Sequence, residues 1–230
     1  MDGQLWLGLA ELILINIVLS GDNAVVIALA CRNLPAEQQK KAIFWGSLGA
    51  VLLRVVLTFV AVWLMEVPLV QVVGSILLLY IAIKLLRNDE GEEQISSSSN
   101  MKEAIKTIVI ADLVMSLDNV LAVAGAANGN LLLIILGLAI SIPLIIWASQ
   151  LLMGLMKRFP VIVILGAALL GYTAGEMILS DRIVGEHLEQ WVPHIHYALP
   201  IVLAVFVVLA GKLGGRKQDG DQEQKPLTGE

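Results

Sequence analysis

Seven apolar runs divide this chain, near residues 5–31, 41–65, 68–86, 103–127, 130–153, 160–180 and 196–213. About 20 helical residues cross the hydrocarbon core of a bilayer. Inside that core only helices and closed barrels satisfy their own backbone polar groups. The runs therefore predict an all-α, polytopic membrane protein with seven transmembrane helices. Composition agrees: 57% of the 230 residues are hydrophobic and 15% are charged, against roughly 25% charged in a soluble domain.

The ends and connections add detail. "MDGQ" carries no Lys or Arg, so the first run is expected to be retained as a span and not removed as a signal peptide. "MEVP" and "ANGN" read as tight turns. "EGEEQISSSSN" and the tail "GGRKQDGDQEQKPLTGE" are polar and short of aromatics, and both are expected to be disordered. The segment "HLEQWVPHIHY" holds His187, His194 and His196 beside Glu186 and Glu189. It reads better as a solvated interfacial loop, with Trp191 and Tyr197 as belt aromatics, than as a metal-capture patch.

Several function classes fall away. A net charge of -5 without a dense basic patch argues against a nucleic-acid partner. One cysteine, Cys31, permits neither an intramolecular disulfide nor a multi-thiolate metal site. No nucleophile with a base, phosphate-binding glycine loop or ATPase domain is present, so no enzyme is expected and any transport is secondary. No prosthetic group is implied, and a homo-oligomer is compatible with the sequence.

Basic residues set an orientation. Of the fifteen Lys and Arg, thirteen lie in or beside alternate connections and after the last span. Arg182 stands alone on the other side, and Arg54 falls inside the second run. By the positive-inside rule the N-terminus faces out and the C-terminus faces the cytoplasm.

Two polar motifs interrupt the apolar pattern: "SGDNAVV" from Ser20 and "SLDNVLA" from Ser116. Setting one over the other gives an offset of 96 residues and brings Asn16 opposite Asp112. Two helices later, Gly74, Leu78, Tyr80 and Ala82 match Gly166, Leu170, Tyr172 and Ala174. The chain thus reads as a first three-helix repeat (1–86), a cytoplasmic linker (87–102) and a second repeat (103–180). An outer loop (181–195), a seventh helix (196–213) and a cytoplasmic tail (214–230) follow. Three helices is an odd number, so the repeats are inverted. Polar breaks in corresponding helices of inverted repeats point to a transporter whose site lies near the midplane.

A charged Asp at a membrane helix centre costs about 2.5–3.5 kcal/mol, which favours a functional role for Asp22 and Asp118. Gly21 permits a helix break in the first copy; Leu117 in its place implies a milder one in the second. Oxygen donors are expected to converge from Asp22, Asn23, Asp118 and Asn119, with Ser20 and Ser116 nearby. Such a set suits a hard divalent ion such as Mn²⁺, Ca²⁺ or Mg²⁺. Mutual repulsion of the empty site's carboxylates makes proton-coupled exchange a natural extension. Asn16 and Asp112 extend the ion path, Glu176 and Glu11 lie near outer ends, and Arg54 is expected to neutralise a carboxylate in the empty site.

"LINIVLSGDNAVVIALA", "DLVMSLDNVLAVAGAA" and "GYTAGEMIL" together resemble the TerC family of integral membrane proteins, particularly its YjbE-type bacterial branch. The family is similar in architecture to the LysE-like exporters. The resemblance implies manganese efflux across the bacterial cytoplasmic membrane and a metal site at Asp22, Asn23, Asp118 and Asn119. It adds weight to Asp112 and Glu176. Alternatives are Ca²⁺ or another solute on the same scaffold, or a non-transporting factor for metal loading or assembly of exported proteins.

Overall fold

The computed structural model describes residues 21–65, 67–87, 97–126, 131–192 and 194–222. These form helices α1 (Gly21–Cys31), α2 (Ala36–Met65), α3 (Val70–Arg87), α4 (Ser97–Ala126), α5 (Leu131–Arg158), α6 (Val161–Ser180), α7 (Val184–Trp191) and α8 (Ile195–Gln222). No strand occurs among the described residues. Five stretches are long and apolar enough to cross a membrane: Ala36–Val60, Val70–Arg87, Ile140–Arg158, Val161–Ser180 and Ile195–Leu213. The first and fourth expected spans are not among these five. Residues 5–20 of the first lie outside the described residues, while α4 covers the fourth and carries charge along its length.

Outward faces of the bundle are apolar. Phe59, Trp63, Trp147, Leu165 and Phe206 are exposed, which a soluble monomer would avoid on this scale and a lipid-facing surface requires. The core is aliphatic and drawn from α1 to α6 together with Val207 of α8.

Three features depart from the expected connections. Ser97 to Asn100 begin α4 and are not linker. α8 continues to Gln222, past the boundary placed at 213 and into the tail expected to be disordered. A helix already nucleated by its apolar part extends through polar residues at little further cost. The outer loop contains α7, an eight-residue helix. Asp181 Oδ1 accepts bonds from Ile183 N at 3.1 Å and Val184 N at 3.2 Å, which satisfies first-turn donors of α7 as a capping side chain does.

Contacts between helices fix their relative directions. Gly46 and Gly49 face Ile108 and Val109, and eight residues further on each helix Arg54 bonds Ser116, so α2 and α4 run parallel. Gly171 faces Leu203 and Ala204 while Gly175 faces Pro200, so α6 and α8 run antiparallel. Arg32 Nη2 donates to Leu85 O at 3.0 Å, and Gly211 lies against Leu86. The ends bearing Arg32, Lys84, Arg87 and Lys212 therefore gather at one end of the bundle.

The pairs that pack most closely are α2 with α4, α6 with α8, and α3 with α6; α1 leans on α5 and α4. The α3–α6 seam uses residues that the sequence alignment paired. Leu78, Leu170, Ala82 and Ala174 are fully buried, and they recur at helical spacing on one face of each helix. α8 packs outside that seam through Gly171 and Gly175, a G-x-x-x-G pair of the kind that lets membrane helices approach closely.

This approach predicts an outcome. A Cβ at Gly175 would stand 2.4 Å from Pro200 Cα, a backbone contact that no side-chain rotation relieves. Gly175→Ala is expected to lower stability by about 1–3 kcal/mol through overpacking. Unfolding of the purified variant in detergent checks this; an unchanged midpoint means that α8 is free to shift outward.

A buried carboxylate–guanidinium centre

The polar centre of the bundle lies where α1, α2 and α4 meet. Arg54 projects from the middle of α2 and is only 1% exposed. Its Nη2 bonds Asp112 Oδ1 at 2.5 Å, and its Nε donates to Ser116 Oγ at 3.0 Å. Ser116 Oγ in turn donates to Asp112 Oδ2 at 3.1 Å. Both carboxylate oxygens and two guanidinium donors are thus engaged in one closed ring. Asp112 and Ser116 sit four residues apart, so α4 presents them on the same face. A guanidinium suits this task because it matches a carboxylate through several donors and keeps its charge when buried.

Asp22 in α1 lies within Coulombic range of both Arg54 and Asp112. One of its oxygens, Oδ1, accepts the backbone N–H of Asn23 at 2.8 Å. Asn23 is buried beside it. The described donors near this point are therefore carboxylate, amide and hydroxyl oxygens around one fixed positive charge. Oxygen donors of this type fit a hard divalent cation. Among the described residues no group of three or more His, Cys, Asp or Glu is placed to hold a metal ion.

The expected residues are distributed as follows. Arg54, Asp112 and Ser116 come together, and Asp22 lies on α1, which packs against α4. Asn119 is half-buried on α4. The side chain of Asp118 lies outside the described residues, as do Ser20, Asn16 and Glu11. Glu176 is exposed near the end of α6, where its backbone carbonyl accepts the Ser180 hydroxyl at 3.0 Å.

One expectation about local structure is corrected. α4 runs unbroken through Ser116–Asn119, so the second motif does not interrupt its helix. Leu117 is a good helix former, and Ser116 spends its hydroxyl on Asp112 and not on a backbone carbonyl. Gly21 and Asp22 are helical too; a break further upstream would fall outside the described residues.

Sequence reading missed two features. Ser47 Oγ is buried without a hydrogen-bond partner. It stands seven residues before Arg54 on α2, about 10 Å nearer the basic end. Seven-residue spacing from Arg54 was the available signal, since it places both on one face. At the basic end a cavity of about 110 Å³ is lined by Asn33, Lys84, Asn100, Glu103 and Thr107, among others. An ion pair between Lys84 and Glu103 crosses it. Thr107 precedes Asp112 by five residues, about 8 Å along α4.

The histidines of the outer segment do not converge. His187 Nδ1 contacts Ile183 O at 2.7 Å, and His196 meets the Tyr197 ring edge-on. Trp191 is 81% exposed at the end of α7.

A family model described as "Integral membrane protein TerC family" matches residues 1–219. The chain is 42% identical over 210 residues to the uncharacterized membrane protein YjbE of Bacillus subtilis (strain 168), covering 91% of this chain and 96% of that protein. It is 29% identical to the uncharacterized membrane protein YkoY of the same organism, over 100% of this chain and 81% of the other. With the UPF0053 protein YegH of Escherichia coli (strain K12) it shares 31% identity over 71% of this chain and 35% of that one. No solved structure matches the chain.

Proposed function

The chain belongs to the TerC family of integral membrane proteins, and on that premise we propose that it is a secondary transporter exporting divalent cations, manganese foremost, across the bacterial cytoplasmic membrane. The observation that carries this reading is the buried Arg54–Asp112–Ser116 centre, with the half-buried Asp22 on the adjoining helix. Ionisable groups inside a membrane bundle are costly, and they mark ion and substrate routes. Oxygen donors favour manganese, magnesium or calcium over softer metals.

The proposed architecture is seven spans in two inverted three-helix repeats plus a seventh helix, with the N-terminus out. The packing supports this. Exchanging α1 with α4, α2 with α5 and α3 with α6 turns the α2–α4 contact into the α5–α1 contact and leaves α3–α6 unchanged; these are principal contacts of the bundle. Gly74 of α3 packs on Val114 and Leu117 of α4, and its aligned partner Gly166 of α6 packs on Val25 and Leu29 of α1. Gathering of basic residues at one end supports the orientation.

On this reading the cavity by Lys84 and Glu103 is the cytoplasmic mouth, and Ser47 is a polar step between that end and Arg54. The ligand set is completed by Asp118 and Asn119 from the second motif. The protein acts as no enzyme, carries no prosthetic group and has the lipid bilayer as its medium. In exchange for the cation, protons would neutralise the carboxylates it leaves behind.

Purified protein in sealed vesicles tests the reading. Manganese is expected to move down its gradient, faster with an opposing proton gradient, and to be slowed more by calcium or magnesium than by potassium. Vesicles that stay manganese-tight with the protein inserted would remove the transport reading and favour the metal-loading alternative.

A further inference from the structure

We infer that Arg54 is a tethered competitor of the cargo cation: its guanidinium occupies Asp112 and thereby limits how tightly the site holds a divalent ion. The inference rests on reading Asp22 and its neighbours as a divalent-cation site, and it goes beyond that reading by assigning Arg54 a part in affinity and release.

The geometry supplies the argument. Asp112 and Asp22 are near enough to one fixed positive charge for both to feel it. Asp112 has each oxygen engaged, one by Arg54 Nη2 and one by the Ser116 hydroxyl. Ser116 also takes the Arg54 Nε–H, so the hydroxyl holds guanidinium and carboxylate in register. The guanidinium is carried on an α2 that packs closely along α4. A cation approaching Asp22 therefore meets a positive charge already seated on the neighbouring carboxylate.

Coulomb energy at such separations is substantial even at an effective dielectric constant of about 20. Arg54 therefore stands as a built-in competitor for Asp112. Its effect is opposite on the two halves of a transport cycle. It weakens binding of the loaded cation, and it compensates Asp112 when the cation has gone. An exporter gains from both, because a site that only binds tightly does not release.

Equilibrium binding of Mn²⁺ alone to purified protein in nanodiscs tests this apart from transport. Arg54→Gln is expected to bind manganese about tenfold more tightly or better, since a repelling charge is removed and a carboxylate is freed. Arg54→Lys keeps the charge and is expected to stay near wild-type affinity. Arg54→Gln combined with Asp112→Asn is expected to lose the gain, because the freed carboxylate is gone. In vesicles Arg54→Gln should show a lower half-saturating concentration together with a lower maximal rate. A structural defect would weaken binding and rate together.

Outcomes divide cleanly. Equal or weaker binding by Arg54→Gln overturns the inference, as does a gain that survives in the double variant. A wild type that binds manganese but moves none removes the transport reading, while the binding comparison still decides the role of Arg54. A wild type that binds no divalent cation removes both.

Discussion

Asp112→Asn is expected to destabilise the protein by about 3–5 kcal/mol, the range for leaving one partner of a buried ion pair without its counter-charge. Arg54 is 1% exposed and donates to the Asp112 and Ser116 side chains. Asparagine keeps the shape of aspartate and removes only the charge, so the loss reports electrostatics and not a cavity. The reciprocal variant Arg54→Gln should cost less. Asp112 keeps the Ser116 hydroxyl as a donor when the guanidinium is gone. Replacing both, as Arg54→Met with Asp112→Leu, should recover most of the stability, because apolar pairs of similar volume do so in other cores. Unfolding midpoints of the three variants in detergent measure the cycle. Single-variant losses that simply add in the double variant would mean that the pair does not act as a charge couple.

Asp22→Asn carries the second large effect, on transport and not on folding. Asp22 is half-buried, and its Oδ1 already accepts the Asn23 N–H. An asparagine oxygen can keep that bond, so the helix should persist. What disappears is a carboxylate beside a fixed positive charge. Manganese flux is expected to fall by about 100-fold or more, beyond the 10–100-fold typical of losing a group that merely supports a ligand. Flux within a few-fold of wild type would exclude Asp22 from the cation's route. The unfolding midpoint should stay near wild type, which separates this variant from Asp112→Asn.

The two aspartates illustrate how different fates arise from similar surroundings. Both lie in apolar helices, and both were marked in the sequence by the cost of placing charge there. Spacing and repeat alignment singled out Asp22 and Asp118 and ranked Asp112 behind them. In the fold, Asp112 is the carboxylate locked to Arg54, an ion pair reaching across 58 residues of chain. The charge of Asp112 was evident in the sequence, and its partner was not. Arg54 itself was expected to neutralise some carboxylate; no feature of its own helix says which one.

Other elements were legible to different depths. The buried faces of α3 and α6 could be written down from the alignment of Gly74, Leu78 and Ala82 with Gly166, Leu170 and Ala174, since a helix face is read directly from its period. Extension of α8 to Gln222 was not, because polar composition argues for disorder while an adjoining nucleated helix argues against it. Continuity of α4 through its motif depended on where the Ser116 hydroxyl points, and a side chain's choice between backbone and neighbour is settled only by packing. The G-x-x-x-G pair at Gly171 and Gly175 was in plain view, yet its partner Pro200 is known only from contact.

The sequence alone determined the solvent of this protein and its helical class. Those follow from local quantities: run length against bilayer thickness, charge against hydrophobic surroundings, and periodicity along one helix. Tertiary structure decided which charges meet. Electrostatic energy depends on distances across helices, and those distances are fixed by how glycines and aliphatic side chains let α1, α2 and α4 approach. A guanidinium on α2 becomes the guard of a carboxylate on α4 only after that packing is complete.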